Sequence, residues 1–323
     1  MNRGCSLRVA FAIVCGCIPV PAWAQNYPVK SVRLVSPYPP GSSADFTSRL
    51  LSPRLSELLG QQFIVDNRPG AAGNIGAELV ARAAPDGYTL LTAPAALATS
   101  ASLYKTLTFN LARDFEPVSL LNSAVHVLAV RPALPAKSVR ELIALAKAQP
   151  GHLTYASGGV GGANHLTMEL FRITAGIDLV HVPYKGSAAA VVDVIGGQVD
   201  MVLSSTIALL PHVRAGRLRA LGITSVQRIA AAPDLPTIAE SGLPGFESET
   251  WSALLGPAGM PRGIVRVLND AIARIAKMPD TIDRLASQGA VPRVGTPEQA
   301  RTFITTELAK WAKVIATAGI KAE

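Results

Sequence analysis

Short β-branched apolar runs alternate with amphipathic stretches along most of the 323 residues. Residues 32–35, 63–66 and 89–92 read as strands, and 45–59 and 75–83 as helices, with a turn at 67–74. This βαβαβ order predicts a parallel sheet with helices on both faces and every strand C-terminus on one edge. Apolar runs at 118–121 and 125–130 are separated only by Asn122, Ser123 and Ala124. There the chain is expected to leave a first lobe and enter a second. Lobe two repeats the pattern: a helix at 138–149 capped by Ser138, a strand at 153–156, and a loop and helix within 161–176. Strands at 179–182, 199–203 and 219–223 follow, with helices at 188–195 and 207–215. The proline- and glycine-rich passage 233–245 looks like the return crossing. From Trp251 come a short strand and helices at 261–277, 280–288 and 297–318.

The expected fold class is therefore α/β, with two doubly wound lobes joined by a hinge around a ligand cleft. Residues 25–124 form the first part of lobe one, 125–245 form lobe two, and 246–323 return to lobe one with the C-terminal helices. Ligands of open α/β sheets bind at strand C-termini. The turn after 32–35 and the segment after 89–92 both lie at such ends.

Composition narrows the reading. Half the residues are hydrophobic, at 49%, and 16% are charged, which supports large cores and argues against disorder. Aromatics at 5% are too few for a base-stacking platform, and the basic residues are scattered, so no nucleic acid partner is expected. Residues 1–24 read as a signal peptide. Arg3 and Arg8 start it, an apolar run follows, and Ala22-Trp23-Ala24 offers cleavage after Ala24. Cleavage lowers the formal charge from +8 to +6, because the leader holds those two arginines and no acid. It also removes Cys5, Cys15 and Cys17, all the cysteines there are. The mature chain is then a periplasmic protein with no disulfide. Tethering as a lipoprotein through Cys17 is the weaker match.

Two turns carry the candidate chemistry. In residues 38–50, YPPGSSADFTSRL, two prolines stiffen the strand exit and Gly41 turns the backbone. Ser42 and Ser43 offer hydroxyls, and Asp45 or Ser43 can cap the helix. Such a turn aims backbone N–H groups and a helix dipole at one point, which suits an anion. The plainer alternative is an ordinary capped turn. In lobe two, residues 155–165, YASGGVGGANH, also follow a strand and open a helix. Four glycines in five positions let amides approach a ligand, or simply make a flexible loop. Tyr184 and Lys185, in VPYKGS, could meet an anion or stand in solvent. Ser204, Ser205 and Thr206 end a strand as cleft hydroxyls, with a helix cap the equal alternative for Ser205 or Thr206.

Other chemistries lack their residues. Asn164 stands where a dinucleotide fingerprint needs glycine, and there is no Walker A lysine. His165 and Glu169 lie one helical turn apart without a third metal ligand. The remaining histidines, including His126 and His181, are isolated along the chain. There is no G-x-S-x-G, no H-E-x-x-H and no convincing carboxylate pair. A secreted hydrolase using Ser157 and His165 is the remote alternative, without an orienting acid. No enzyme activity, cofactor or metal is expected.

Nine features in order, YPPGSSAD (38–45), DNRPGAAGNIG (66–76), PDGYT (85–89), SGGVGGANHL (157–166), VPYKG (182–186), GGQVD (196–200), PTIAE (236–240), Trp251 and PAGMP (257–261), carry a resemblance across the mature chain. The sequence resembles the Bug family of extracytoplasmic solute receptors associated with tripartite tricarboxylate transporters. The resemblance implies a type II periplasmic-binding-protein fold and a small organic carboxylate held between the lobes by amides, hydroxyls and water. Carried over, the lobe-one contacts are Tyr38, Pro40, Gly41, Ser42, Ser43 and Asp45, with Thr92, Ala95 and Ala96. The lobe-two contacts are Ser157, Gly158, Gly159, Val160, Gly161 and His165, with Tyr184, Lys185, Gly186 and Ser204. Ser42 departs from a glycine frequent in the family, so the local backbone is open. No arginine lies in these loops, so no charge-for-charge clamp is expected. The implied partners are the organic anion and either membrane transporter subunits or a membrane sensor, and the receptor is expected to be a monomer.

Overall fold

A computed structural model of the chain describes residues 27–104 and 106–320. The leader, its cleavage site and the cysteines lie outside these residues.

The first lobe opens with β1 (Val32–Ser36), α1 (Ser43–Leu59), β2 (Phe63–Asn67), α2 (Asn74–Ala81), β3 (Thr89–Pro94) and α3 (Ala96–Leu103). β1 pairs in parallel with both β2 and β3. Then β4 (Phe115–Val130) runs sixteen residues without a break. Asn122, Ser123 and Ala124, read as a gap between two runs, lie within this strand. The second lobe follows as α4 (Val139–Ala148), β5 (Thr154–Ser157), α5 (Ala163–Ala175), β6 (Val180–Pro183), α6 (Ser187–Ile195), β7 (Met201–Ser205), α7 (Thr206–Arg214) and β8 (Arg219–Ile223). β5 is parallel to β6 and β7. The chain returns through β9 (Glu249–Pro257), α8 (Arg262–Ile275), α9 (Pro279–Ser287), β10 (Ala290–Pro292) and α10 (Pro297–Ala318).

The strand order is β2-β1-β3-β9-β4-β7-β5-β6, with β8 and β10 also on β4. β9 is antiparallel to both β3 and β4, so the sheets are mixed, not parallel throughout. β4 belongs to both lobes: residues 115–125 pair with β9, and residues 126–130 with β7. The lobes are thus connected by a ribbon of paired strands. The return crossing is β9 itself. Residues 233–245 instead pack on lobe two, where Ile238 and Leu243 join its core.

Each sheet is covered on both faces. In lobe one, α1 and α8 bury Leu51, Leu55, Leu268 and Ile272 against Val32, Leu34 and Leu90. The buried residues of α8, at 264, 265, 268, 271, 272 and 275, fall on one stripe by three–four spacing. On the other face, α3 and α10 pack Leu97, Ile304 and Trp311 against Leu91 and Ala253. In lobe two, Met168 and Phe171 of α5 cover one face, and Val191 and Val194 of α6 the other. Each such aliphatic or aromatic side chain contributes roughly 1.5–3 kcal/mol when fully buried. These cores hold the strand ends, and hence the turns, at fixed positions.

Candidate functional site

A cavity of about 900 Å³ lies between the strand ends of the two lobes. Lobe one lines it with Tyr38, Ser43, Phe46 and Thr47 from the β1–α1 turn, and with Pro94, Ala95, Ala96 and Thr99 from β3 and α3. Lobe two contributes Gly159, Val160, Gly161 and Gly162, then Pro183, Tyr184 and Lys185. Asn122, Ala124, His126, Thr250 and Ser252 of the β4–β9 ribbon also line it. Of the residues expected from sequence, Tyr38, Ser43, Ala95, Ala96, Gly159, Val160, Gly161, Tyr184 and Lys185 come together in this wall. Pro40, Gly41, Ser42, Asp45, Thr92, Ser157, Gly158, His165, Gly186 and Ser204 stand outside it.

Several of the latter hold the wall in place. Gly41 adopts φ +84°, a conformation open to glycine at little cost. Its N–H donates to Asp45 Oδ2 at 2.9 Å. Asp45 is buried and also accepts from Arg49 Nε and from Asn67 Nδ2 at 2.8 Å. Burial alone would raise its pKa, but hydrogen bonds from Arg49, Gly41 and Asn67 outweigh burial and hold the carboxyl below its ordinary value. The helix cap is Ser42, whose Oγ accepts from Asp45 N, and not Ser43 or Asp45. Asp45 works instead as a latch closing the turn. Thr92 is fully buried and accepts a hydrogen bond from Ser48 Oγ at 2.8 Å.

Beneath the lobe-two glycine turn lies a stack of rings. His165 and His181 are parallel with centroids 3.9 Å apart, and Tyr155 lies on His181 at 4.8 Å. His165 Nδ1 accepts the Gly161 N–H at 2.9 Å. Ser157 Oγ accepts the Gly159 N–H and lies 2.6 Å from His181 Nε2. The serine thus pairs with His181 and not with His165, and it is fully buried. Its hydroxyl is a strut under the loop, which removes the geometric basis for a Ser157–His165 dyad. His181, isolated along the chain, is central to this unit. Tyr155 Oη donates to Glu169 Oε1 at 2.6 Å, and Arg172 pairs with the same carboxylate. Gly158 sits where a Cβ would come within 2.9 Å of Ser187 N. The Gly186 N–H donates to Gly158 O at 3.1 Å, tying the two lobe-two turns together. Tyr184 turns its hydroxyl to Asp193 Oδ2 at 2.6 Å, and with burial this pushes its pKa up to about 12. Ser204 accepts from Asn164 Nδ2 at 3.4 Å behind the wall.

The helices around the cavity differ in their caps: α1 is capped by Ser42, and two others are not. α4 and α10 carry the side-chain caps Ser138 and Thr296. α3 and α5, which open on the cavity, have no side-chain cap, and neither has α6. The first N–H groups of a helix have no partner within it, so uncapped ends bordering a cavity are available to an anion. Among the described residues the lining holds no arginine; Lys185 is its one cation and is exposed. Glu249, also in the lining, is paired with Arg293 at 2.5 Å. Among the described residues no group of three or more His, Cys, Asp or Glu could hold a metal ion.

Sequence reasoning missed α3 and the ribbon. Asn122, His126, Thr250 and Ser252 are alternate polar positions on paired strands, a pattern that reads equally well as a solvated sheet face. Asn122 Nδ2 donates to Thr47 Oγ1 at 3.1 Å, and Thr250 Oγ1 to Ala124 O at 3.1 Å. His126 Nδ1 and Ser252 Oγ are buried without a hydrogen-bond partner among the described residues. Leaving such a group unmet costs about 1–3 kcal/mol. Burial pushes the His126 pKa down to about 4, so the ring is neutral at pH 7.

Among the described residues, no helix is long and apolar enough to cross a membrane. A family model described as "Tripartite tricarboxylate transporter family receptor" matches residues 47–320. Protein BugT of Bordetella pertussis (strain Tohama I) is 39% identical over 306 residues, covering 94% of each chain. The solved structure of R. palustris Rpa4515 with adipate has 37% identity and a TM-score of 0.72, covering 91% of this chain and 99% of that one. MatC (Rpa3494) from Rhodopseudomonas palustris, solved with bound malate, has 31% identity and a TM-score of 0.68, covering 90% of this chain and all of that one, at 100%. With two α/β lobes around a cleft and this likeness along nearly its whole length, the chain belongs to the tripartite tricarboxylate transporter receptor family, as the Bug proteins do.

Proposed function

We propose that this protein is a periplasmic receptor that captures a small organic carboxylate in the cleft between its lobes and delivers it to transporter membrane subunits. The observation that carries this reading is the pair of uncapped helix ends, α3 in lobe one and α5 in lobe two, bordering one cavity. The adipate and malate bound by the two solved relatives support the ligand class. Without a lining arginine among the described residues, N–H groups, hydroxyls and water solvate the carboxylate. Hydrogen bonds to a charged group contribute roughly 1.5–3 kcal/mol each, so a few suffice for useful affinity. Closure brings the lobe-two glycine turn onto an anion already seated on lobe one.

Isothermal calorimetry of the mature protein against mono-, di- and tricarboxylates tests this reading. Saturable binding of at least one acid is expected. A folded protein that binds none of them rejects it.

A further inference from the structure

We propose that the guest lies along the β4–β9 ribbon, with its carboxylate at the Ser252 end and an uncharged hydrogen-bonding group at the other end, read by His126. The inference rests on the carboxylate reading above and adds the chemistry of the remote end.

The ribbon places the two unpartnered groups apart. Ser252 is opposite Asn122 on β4 and opposite Pro94 on β3. It therefore sits beside the uncapped start of α3, at the anion-binding end. His126 is opposite Ser205 on β7, at the lobe-two end. Four residues of extended β4 separate Asn122 from His126, roughly 13 Å at the rise of a strand. The His126 and Ser252 side chains both line the cavity, and they are 5% and 6% exposed. The neighbouring polar groups, Asn122 and Thr250, are already engaged within the protein.

The far end is poorly suited to a second carboxylate. Glu249, opposite Val125 in the ribbon, adds an acid to the cavity lining. Its counterion Arg293 is taken up by Glu249 and Glu247. A neutral imidazole can donate at one nitrogen and accept at the other, so it can meet a hydroxyl, a carbonyl or an amide without a counter-charge. The remote group is thus a neutral oxygen or amide function, unlike the second carboxylate of adipate or malate.

The test is calorimetry with straight-chain acids of five to eight carbons ending in hydroxyl, amide, carboxylate, ammonium or methyl. The wild-type protein is expected to bind the hydroxyl- or amide-ended acid at least tenfold more tightly than its methyl- and carboxylate-ended counterparts. In His126→Leu the hydroxyl-to-methyl ratio should fall to within threefold, while His126→Gln, which keeps a hydrogen-bonding end, should retain part of it. Thermal melts establish that each variant is folded, and His126→Gln serves alone if the leucine variant is not. Ser252→Ala should weaken all the acids by a similar factor. A wild-type preference for the carboxylate, ammonium or methyl end overturns the proposal. So does a folded His126→Leu, or a His126→Gln weaker by the same factor for every acid, that keeps the wild-type ratio. Binding that ignores the end group removes the role of His126 alone, whereas failure of every acid removes the carboxylate reading as well.

Discussion

His165 and His181 lie ring on ring, with centroids 3.9 Å apart and planes 8° from parallel. One ring holds the Gly161 N–H and the other meets the Ser157 hydroxyl that holds the Gly159 N–H. The lobe-two glycine turn therefore rests on two neutral imidazoles.

Acid should loosen this support. Burial, then the neighbouring His165, pushes the His181 pKa down to about 4, and burial also lowers that of His165. An unfolded histidine titrates near 6.5, so on acidification the unfolded chain binds protons first. The stability contributed by the stack is fully present above about pH 6.5 and is lost as the pH falls toward about 4. Thermal melts from pH 7.5 to 4 should show Tm falling through that window, with ligand affinity falling alongside. The slope should be shallower in His181→Asn. That variant isolates the stack from His126, which titrates over the same range. An equal slope in both proteins would show that the stack contributes nothing.

Gly158→Ala should disable the site with little change to either core. The new methyl would meet Ser187 Oγ at 2.7 Å, Ser187 N at 2.9 Å and Gly186 C at 3.3 Å. Two of these are backbone atoms, so the turns at 157–162 and 184–187 must part. We expect affinity for any bound carboxylate to fall at least tenfold by calorimetry, with far-ultraviolet circular dichroism unchanged.

Asp45→Ala should unfasten the lobe-one turn. It leaves the Gly41 N–H and the Asn67 amide without their acceptor and unpairs Arg49. Arg49 is half exposed, so the expected cost is about 2–3 kcal/mol, set mainly by the lost hydrogen bonds to a buried charge. Chemical denaturation measures it, and ligand affinity should drop with it. A change below about 0.5 kcal/mol, the range of neutral surface substitutions, would mean the latch is unimportant.

Ligand binding should change tryptophan emission. Trp251 and Trp311 both line the cavity, and both donate their Nε1–H to Glu307 Oε2, at 2.9 and 3.0 Å. The other tryptophan, Trp23, belongs to the expected leader. A titration that saturates in calorimetry should also saturate in fluorescence, and Trp251→Phe should reduce the signal. Unchanged emission would show that neither indole senses the guest.

Most of the element order was legible because strand and helix periods differ and because Gly and Pro punctuate the chain. Ser138 was recognisable as a cap, and Ser205 was one of two candidates; each accepts the predicted kind of N–H. α3 escaped because ALATSASL has little contrast between its faces; its burial comes from packing on α10. Residues 122–124 looked like a break because a strand shared by two lobes can bury polar side chains in the cleft between them. Strand direction is equally invisible, since a period of two says nothing about whether β9 runs with or against β3. The glycine turns were found from composition, but their supports were not. Ser157 and His181 are 24 positions apart, and only the parallel pairing of β5 with β6 brings them together.

The sixteen residues of β4 also bear on how the molecule comes apart. Cutting the chain there would leave each half with a naked sheet margin where its neighbour had been bonded, so neither half should survive as a separate soluble fragment. Heating should accordingly yield one calorimetric peak shared by both halves.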